Sequence, residues 1–253
     1  MDDDRSRGLF LEIYGTLPRA GPGGDDHTRR ALGLAGAAAQ SVLDLGCGPG
    51  QQTVVLAEAL PEATVLAVDL LPSMVDEANR RLDDAGLSGR ASAVCGDMAT
   101  PPIDPASQDL IWAEGSIYNL GVTDALRAWE PLLSAGGRVA FTEPIWLVDE
   151  PAEEIADWWL AEYPPMSGVE AVRARIAAAG FETVADFVLP ANAWTDEYYD
   201  PMAQRIDEMV ERHPGDALAT EIAAMAQHEI DMFRRFSDTY SYAFFIAEPE
   251  AAG

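Results

Sequence analysis

Lysine is absent from this 253-residue sequence, so all 16 basic residues are arginine, against 43 acidic residues and a formal net charge of −27. Nucleic-acid backbones are bound mainly by clusters of lysine and arginine, which release condensed counterions. Only isolated arginine pairs occur here, so we expect no nucleic-acid partner. The acid excess without lysine also predicts a halophilic protein from a salt-rich cytoplasm, because ions screen the repulsion between carboxylates.

Cysteine, histidine and long apolar runs are scarce as well. The two cysteines, Cys47 and Cys95, fit a reducing compartment, and with only three histidines they do not build a zinc site. No apolar run approaches the roughly 20 residues that a membrane-spanning helix needs. The chain starts with Met1 and three aspartates, where a signal peptide would be basic. We expect a cytoplasmic protein without a metal ion or a membrane partner.

Short β-rich runs alternate with helical stretches over residues 41–143, which predicts parallel strands joined by helices. These runs are Ser41 to Leu45, Thr64 to Asp69, Ala91 to Cys95, Asp109 to Trp112 and Arg138 to Glu143. Two further strands are expected at Phe181 to Leu189 and Tyr240 to Ala247, with helices at Glu197 to His213 and Asp216 to Asp238 between them. The sequence therefore predicts an α/β fold with a mainly parallel seven-stranded sheet. Ligands of such sheets bind at the carboxyl ends of the strands.

The strongest chemical signal is the segment from Val42 to Gly50, in which an apolar strand runs into Gly46, Gly48 and Gly50 before a helix. Glycines there let the backbone turn tightly and approach a ligand closely. A dinucleotide-binding loop would carry its third glycine at position 51, where Gln51 stands. The spacing fits the acid-x-Gly-x-Gly-x-Gly loop that holds S-adenosylmethionine (SAM) in methyltransferases. A purely structural turn is the alternative.

Two acids follow the next strands. Asp69 closes the second strand, where a carboxylate can accept both ribose hydroxyls; the alternative, a helix N-cap, is weaker because Ser73 serves as the cap. Asp97 follows the third strand beside Met98, where it can accept the adenine amino group, or it is simply a turn residue after Gly96.

With these residues the chain resembles the class I SAM-dependent methyltransferases over residues 8–247. The resemblance implies Asp44 near the methionine amino group, Gly46 and Gly48 behind the cofactor, Asp69 on ribose, and Asp97 and Met98 on adenine. Gly50 and Leu70 complete the candidate cofactor set. The implied fold is Rossmann-like, in a single domain. Its segments are 1–40 (N-terminal lid), 41–144 (SAM-binding core), 145–189 (aromatic helical segment and sixth strand), 190–239 (helical insertion) and 240–247 (last strand).

A narrower resemblance points to a group of prokaryotic methyltransferases without an assigned acceptor. It is carried by Pro18 to Gly23, Trp112 to Gly121 and Ala193 to Thr195. In that group the first segment usually ends in serine, whereas this chain has Gly24. We predict that Arg19 pairs with the SAM carboxylate and that Tyr14 covers the methionine end. The alternative is that the segment is a docking helix and Arg19 is a surface arginine.

Acceptor-side residues are expected in the loops after the fourth and fifth strands and in the aromatic segment. The candidate catalytic residues are Glu114, Tyr118, Glu143 and His228. The candidate substrate-binding residues are Tyr118, Asn119, Trp146, Trp158 and Trp159, with Tyr163 nearby. Glu114 is a base, a contact of the SAM amino group, or a capped loop carboxylate, and the aromatic residues wall a pocket or pack a helix. With the carboxylates, the aromatic residues are suited to a cationic or amine acceptor.

The expected activity is SAM-dependent methyl transfer to a small molecule by in-line displacement. The fourth strand ends in Trp112-Ala113-Glu114-Gly115. It lacks the Asn/Asp-Pro-Pro-aromatic motif of enzymes that methylate exocyclic base amines. Two alternatives stay open. One is a SAM-binding module without turnover, and the other is a nucleotide-dependent oxidoreductase, which Gln51 disfavours.

Overall fold

The computed structural model describes residues 2–15, 17–36 and 38–251. A seven-stranded sheet with the strand order β3-β2-β1-β4-β5-β7-β6 forms its centre. The strands are β1 (Ser41–Leu45), β2 (Thr64–Asp69), β3 (Ala91–Cys95), β4 (Gln108–Ala113), β5 (Leu133–Trp146), β6 (Phe181–Val188) and β7 (Tyr240–Pro249). Strands β1 to β5 pair in parallel, and β7 runs antiparallel to both β5 and β6. The predicted fold class is confirmed.

Helices cover both faces of the sheet. They are α1 (Asp2–Tyr14), α2 (Asp25–Ala35), α3 (Gln51–Ala59), α4 (Pro72–Asp84), α5 (Val122–Trp129), α6 (Glu153–Glu162), α7 (Val169–Ala178), α8 (Asn192–Trp194), α9 (Asp200–Arg212) and α10 (Ala217–Phe236). A π-helical turn (Thr195–Tyr199) joins α8 to α9, and short 3₁₀ turns occupy Ile117–Asn119 and Glu130–Leu132. None of the described helices has the length and hydropathy required to cross a bilayer.

The core consists of two apolar layers because the central strands are buried on both faces. On one face Leu43, Ile111 and Phe141 pack with residues of α5 and α7. On the other, Val42 and Trp112 pack with residues of α1, α2, α3 and α10. Burial on both sides explains why these strands are nearly continuous apolar runs in the sequence. It also leaves the carboxyl ends of β1 to β5 as the edge where polar side chains can gather.

Three local predictions need correction. Strand β5 starts at Leu133 rather than Arg138, because Leu133 already pairs with Gln108 of β4. Gly136 and Gly137 lie in the irregular stretch between this pair and the next one, Leu110 with Arg138. Helix α4 has Leu71 rather than Ser73 as its N-cap, with Pro72 as the first helical residue. Proline suits that position because its φ is preset and its missing N–H would have no partner there.

The helical insertion between β6 and β7 also differs from the prediction. Its first helix was expected at Glu197, but helical structure begins at Asn192 and passes through the π-helical turn before α9. The second helix, α10, starts as predicted after Asp216, whose side chain accepts the N–H groups of Leu218 and Ala219. The unpredicted π-helical turn contains Glu197, Tyr198 and Tyr199, which all make contacts described below.

Candidate functional site

The glycine loop after β1 is shaped by close packing. Gly46 has φ +71°, and a Cβ built on it would lie 2.4 Å from the Cβ of Ser116. Gly50 has φ +85°, and its Cβ would lie 2.6 Å from the Cβ of Ala78 on α4. Both positions therefore require glycine, but for different purposes. Gly46 lines a cavity, whereas Gly50 lets α3 and α4 approach each other.

A cavity of about 520 Å³, here called the main cavity, opens at the carboxyl ends of β1 to β4. Its size is within the range of small-molecule sites. It is lined by Ala20, Gly46, Gly48, Val68, Asp69, Leu70, Leu71, Met74, Gly96, Asp97, Met98, Gly115, Ser116, Tyr118, Asn119 and Leu120. The structure thus brings together the predicted residues of the glycine loop, of the ends of β2 and β3, and of the loop after β4.

Asp69 is held in place at the wall of the main cavity. Its Oδ2 accepts the N–H of Gly48 at 2.8 Å, and its Oδ1 accepts the N–H of Leu71 at 2.9 Å. A carboxylate has about four lone-pair positions, so two remain for a ligand. Asp97 accepts the N–H of Ala99 at 2.8 Å and is exposed at the cavity wall. Leu70 extends over the same cavity with 73% of its surface exposed.

A smaller cavity of about 30 Å³ adjoins the glycine loop and is lined by Arg19 to Pro22, Gly46 to Gly48, Gln52, Glu114 and Gly115. Arg19 is its only basic residue and is 3% exposed. Its guanidinium contacts three carboxylates: Glu197 through Nε at 2.8 Å, Glu114 through Nη1 at 2.9 Å and Asp25 through Nη2 at 2.8 Å. Arg19 therefore lies beside the glycine loop, held by carboxylates from three separate segments of the chain.

Glu114 is buried and accepts hydrogen bonds from three side chains. Arg19 donates to Oε1 at 2.9 Å, Thr28 donates to Oε2 at 2.9 Å and Trp112 donates its indole N–H to Oε2 at 3.1 Å. Burial raises the pKa of Glu114, and the charge of Arg19 opposes the shift. A carboxylate with this many donors fits the capped alternative better than the role of a free base.

The three segments of the narrower motif meet at this point. Arg19 of the first segment binds Glu114 of the second, and the N–H of Gly23 donates to the carbonyl of Ala193 in the third at 2.9 Å. A Cβ on Gly23 would lie 2.7 Å from Oε1 of Glu114. Gly24 is the N-cap of α2 and has no side chain to accept a backbone N–H. The serine that the narrower group usually has at this position could form that bond.

Asp44 lies behind the glycine loop and lines neither cavity. It is completely buried, and its Oδ2 accepts the hydroxyl of Thr53 at 2.6 Å. Its Oδ1 has no partner within the described residues. Burial raises the pKa of Asp44 to about 7, although the hydrogen bond from Thr53 opposes the shift.

Glu143 at the end of β5 is also completely buried. Its Oε1 accepts the hydroxyl of Tyr163 at 2.6 Å and lies 3.7 Å from Nη1 of Arg175. Its Oε2 has no partner in the part of the chain that the structure describes. Burial raises the pKa of Glu143 to about 7, against the opposing effects of Tyr163 and Arg175.

The sequence prediction missed Glu229 and chose its neighbour. His228 is exposed on α10, so its assignment as a base beside the inner face of the insertion is corrected. Glu229 instead faces inward and accepts hydroxyls from Tyr14 and Tyr198 at 3.3 Å and from Tyr199 at 3.2 Å. The signal was present in the sequence, because position 229 follows Ala226 by three residues and continues the buried stripe of α10.

All seven tyrosines of the protein pack around these two carboxylates or against one another, and we call them the tyrosine cluster. They are Tyr14, Tyr118, Tyr163, Tyr198, Tyr199, Tyr240 and Tyr242. Tyr118 lies edge-on to Tyr163 with ring centroids 5.9 Å apart, and Trp194 contacts Tyr199, Tyr240 and Tyr242. Tyr14 bonds Glu229 here and lines neither cavity.

The predicted tryptophans flank this cluster. Trp159 lies edge-on to Tyr240 at 5.2 Å and to Trp158 at 5.1 Å. Trp146 and Trp158 are half-buried against the same apolar layer. Of the predicted substrate-binding residues, Tyr118 and Asn119 line the main cavity, whereas the three tryptophans do not. Among the described residues, no group of three histidine, cysteine or acidic side chains is placed to share a metal ion.

Comparison with known proteins adds the family. A family model described as a methyltransferase domain matches residues 42–137. A trans-aconitate 2-methyltransferase from Paracidovorax citrulli is 30% identical over 191 residues, which cover 71% of this chain and 70% of the relative. This chain belongs to the class I SAM-dependent methyltransferases.

Two further matches describe how far this chain resembles other members of the family. The aklanonic acid methyltransferase DauC from Streptomyces sp. strain C5 is 33% identical over 42% of this chain and 49% of its own length, so the chain spans about half of that relative. A Geobacter sulfurreducens SAM-dependent methyltransferase, solved with S-adenosylhomocysteine (SAH), superimposes with a TM-score of 0.84 at 19% identity, covering 96% of this chain and 98% of its own. The structural match supports the fold.

Proposed function

We propose that this protein binds SAM in the main cavity and transfers its methyl group to a small-molecule acceptor, as a single methyltransferase domain with the segments predicted from the sequence. The observation that carries the proposal is the main cavity itself. Its wall combines Gly46 and Gly48 with Asp69 and Asp97 at the ends of successive strands. This is the position in a doubly wound sheet where ligands bind.

The residues present fit the three parts of the cofactor. We assign Asp97 and Met98 to the adenine, and Asp69, which has two lone pairs left, to the ribose hydroxyls. The methionine part is assigned to the small cavity beside Gly46 and Gly48, which have no side chains to fill it. The unpartnered Oδ1 of Asp44 lies behind this loop and supports a polar ligand group nearby.

Arg19 is proposed to bind the methionine carboxylate. A guanidinium has five N–H groups, and four of them are used by Glu197, Glu114, Asp25 and Thr28. The fifth, on Nη1, has no acceptor within residues 2–15, 17–36 and 38–251, and Arg19 lines the small cavity. The same side chain ties the N-terminal segment to Glu114 and to the insertion, so residues 17–24 act as a lid.

SAM supplies a methyl group on a positively charged sulfur, from which transfer needs no covalent enzyme intermediate. The chain's own residues hold the acceptor in line, exclude water and, where needed, accept a proton. Tyr118 and Asn119 line the main cavity on the side of the acceptor loops. The net charge of −27 supports a small molecule rather than a nucleic acid as the acceptor.

The proposal is tested by calorimetric titration of the protein with SAH and, in parallel, with NAD. We expect one SAH site per chain and no heat with NAD. Asp69→Ala should weaken SAH binding by at least about tenfold, because it removes the ribose acceptors; Asp104→Ala, an exposed change away from the cavity, should not. Binding of NAD but not SAH would refute the proposal. Turnover of SAM to SAH with an acceptor distinguishes an enzyme from a binding module.

A further inference from the structure

The tyrosine cluster contains two carboxylates, which apolar packing alone does not require. Glu143 and Glu229 both lie among the tyrosines; Glu143 is completely buried and Glu229 is half-buried. Within the described residues, Glu229 contacts no arginine or histidine, and the one cation near Glu143 is Arg175 at 3.7 Å. Burying a carboxylate without a full partner is costly. The cluster therefore has an electrostatic preference for a cation.

Polar atoms without partners are concentrated in the same region. Five buried side-chain polar atoms lack a partner within the described residues. Four of them belong to the cluster or to residues beside it: Glu143 Oε2, Tyr240 OH, Trp159 Nε1 and Ser167 Oγ. Native proteins leave few such atoms, because a buried polar atom without a partner is destabilising unless a ligand or water satisfies it. This concentration indicates a ligand site.

Tyr118 connects the cluster to the main cavity. It lines that cavity, and its ring lies against Tyr163, whose hydroxyl bonds Glu143. Burial raises the pKa of the Tyr118 hydroxyl, and the charges of both Glu229 and Glu143 raise it further. A molecule bound at Tyr118 would thus face the cofactor on one side and both carboxylates on the other.

We infer that the methyl acceptor is an amine, bound at Tyr118 as an ammonium ion that Glu143 and Glu229 attract and the tyrosine rings surround. The inference rests on the proposed function. Aromatic faces attract cations, and most strongly where water is excluded. A carboxylate acceptor would instead meet two carboxylates, with Arg175 as the one cation beside them among the described residues.

Transfer then proceeds in balanced steps. The ammonium group loses one proton to Glu143, which exposes the nitrogen lone pair. The nitrogen attacks the methyl carbon in line with the sulfur, so that a C–N bond forms and the C–S bond breaks with its electron pair remaining on sulfur. The products are the neutral thioether SAH and a protonated methylamine, and Glu143 returns its proton to solvent. A pKa of about 7 suits Glu143 to this exchange near neutral pH.

Cation recognition is tested with benzyltrimethylammonium chloride, using sodium phenylacetate as the anionic counterpart. Both are titrated into SAH-saturated protein while tyrosine and tryptophan fluorescence is recorded. We expect saturable binding of the cation and none of the anion. Glu143→Gln and Glu229→Gln should each weaken cation binding by at least about tenfold, with unchanged SAH affinity. Glu221→Gln, on the exposed side of α10, is the control. Preferential binding of phenylacetate would overturn the inference.

The acceptor class is tested by SAH formation with matched compounds: phenethylamine, 2-phenylethanol and 3-phenylpropanoate, then ethanolamine, ethylene glycol and glycolate. Turnover with amines alone supports the inference. Turnover with the alcohols or carboxylates, or SAH binding with no turnover on any amine, would overturn it and leave the proposed cofactor site standing. If the wild-type protein does not bind SAH, the proposed function itself is refuted. Tyr163→Phe, which removes a donor from Glu143 without removing a charge, checks the cluster if a glutamate variant fails to fold.

Discussion

Arg19 and Glu114 are separated by 95 positions in the chain and form a buried ion pair, with Nη1 of Arg19 2.9 Å from Oε1 of Glu114. The pair joins the segment before the first strand to the loop after β4. Because Arg19 also binds Glu197 and Asp25, one side chain connects α2, the π-helical turn and the cavity wall.

Arg19→Ala should therefore affect stability and binding together. Removing one partner of a buried pair typically costs about 3–5 kcal/mol, because Glu114 would be left as an unpaired buried charge. SAH affinity should also fall, since the methionine carboxylate loses its partner. Urea unfolding and calorimetry measure the two effects. Arg29→Ala, which breaks an exposed pair with Glu58, is the control and should change little. Unchanged SAH affinity in Arg19→Ala would contradict the assignment.

Gly46→Ala should disrupt the glycine loop. The new Cβ would meet Ser116, whose hydroxyl is fixed by donating to the carbonyl of Leu45 at 2.7 Å. The left-handed backbone adds a further penalty, for a total of about 2–5 kcal/mol. Gly89→Ala, where a Cβ enters open space, is the matched control. Adding Ser116→Gly should restore part of the stability; if the single variant binds SAH as tightly as wild type, the loop does not back the cofactor.

Asp44 and Glu143 predict a pH dependence of stability. Both pKa values rise from about 4 in the unfolded chain to about 7 in the folded protein. Between these values the folded state holds more protons than the unfolded state, so the free energy of unfolding falls as pH rises from 4 to 7 and then levels off. Asp44→Asn and Glu143→Gln should each flatten this slope.

Urea unfolding at pH 5 and pH 7.5, at constant salt, measures the effect. Each variant is compared with wild type, because the overall negative charge produces a trend of the same sign. Asp104→Asn is the control for an exposed carboxylate. Equal slopes in Asp44→Asn and wild type would mean that Asp44 has an ordinary pKa.

The acidic composition predicts that Tm rises steeply with KCl. With 43 acidic and 16 basic residues, screening by salt relieves repulsion throughout the folded surface. Scanning calorimetry from low to molar KCl measures the rise, with sucrose at matched osmolality as the control for non-ionic stabilisation. A Tm independent of KCl would remove the halophilic interpretation.

The sheet and the wall of the main cavity could be predicted because their signals are local. The βαβ alternation, the glycine spacing and the acids at Asp69 and Asp97 are each short patterns read along the chain. Even for Asp69, one hydrogen bond differs from the predicted role on ribose. Asp69 accepts the N–H of Leu71 just before α4, which is close to the capping alternative.

The tyrosine cluster could not be predicted in the same way because its residues converge only through tertiary packing. The seven tyrosines lie between positions 14 and 242, and six of them are outside the predicted core segment. The choice of His228 over Glu229 favoured a residue type with familiar chemistry over the helical periodicity that places Glu229 inside. The three carboxylate partners of Arg19 likewise come from three separate parts of the chain.

The central claim is that the edge formed by the glycine loop, Asp69 and Asp97 holds the cofactor. The most direct measurement is a crystal structure of the protein soaked with SAH. The account predicts density in the main cavity, with the ribose hydroxyls on Asp69, the adenine beside Asp97 and Met98, and the sulfur facing Tyr118. Density for SAH at another surface, with Asp69 making no contact, would contradict it.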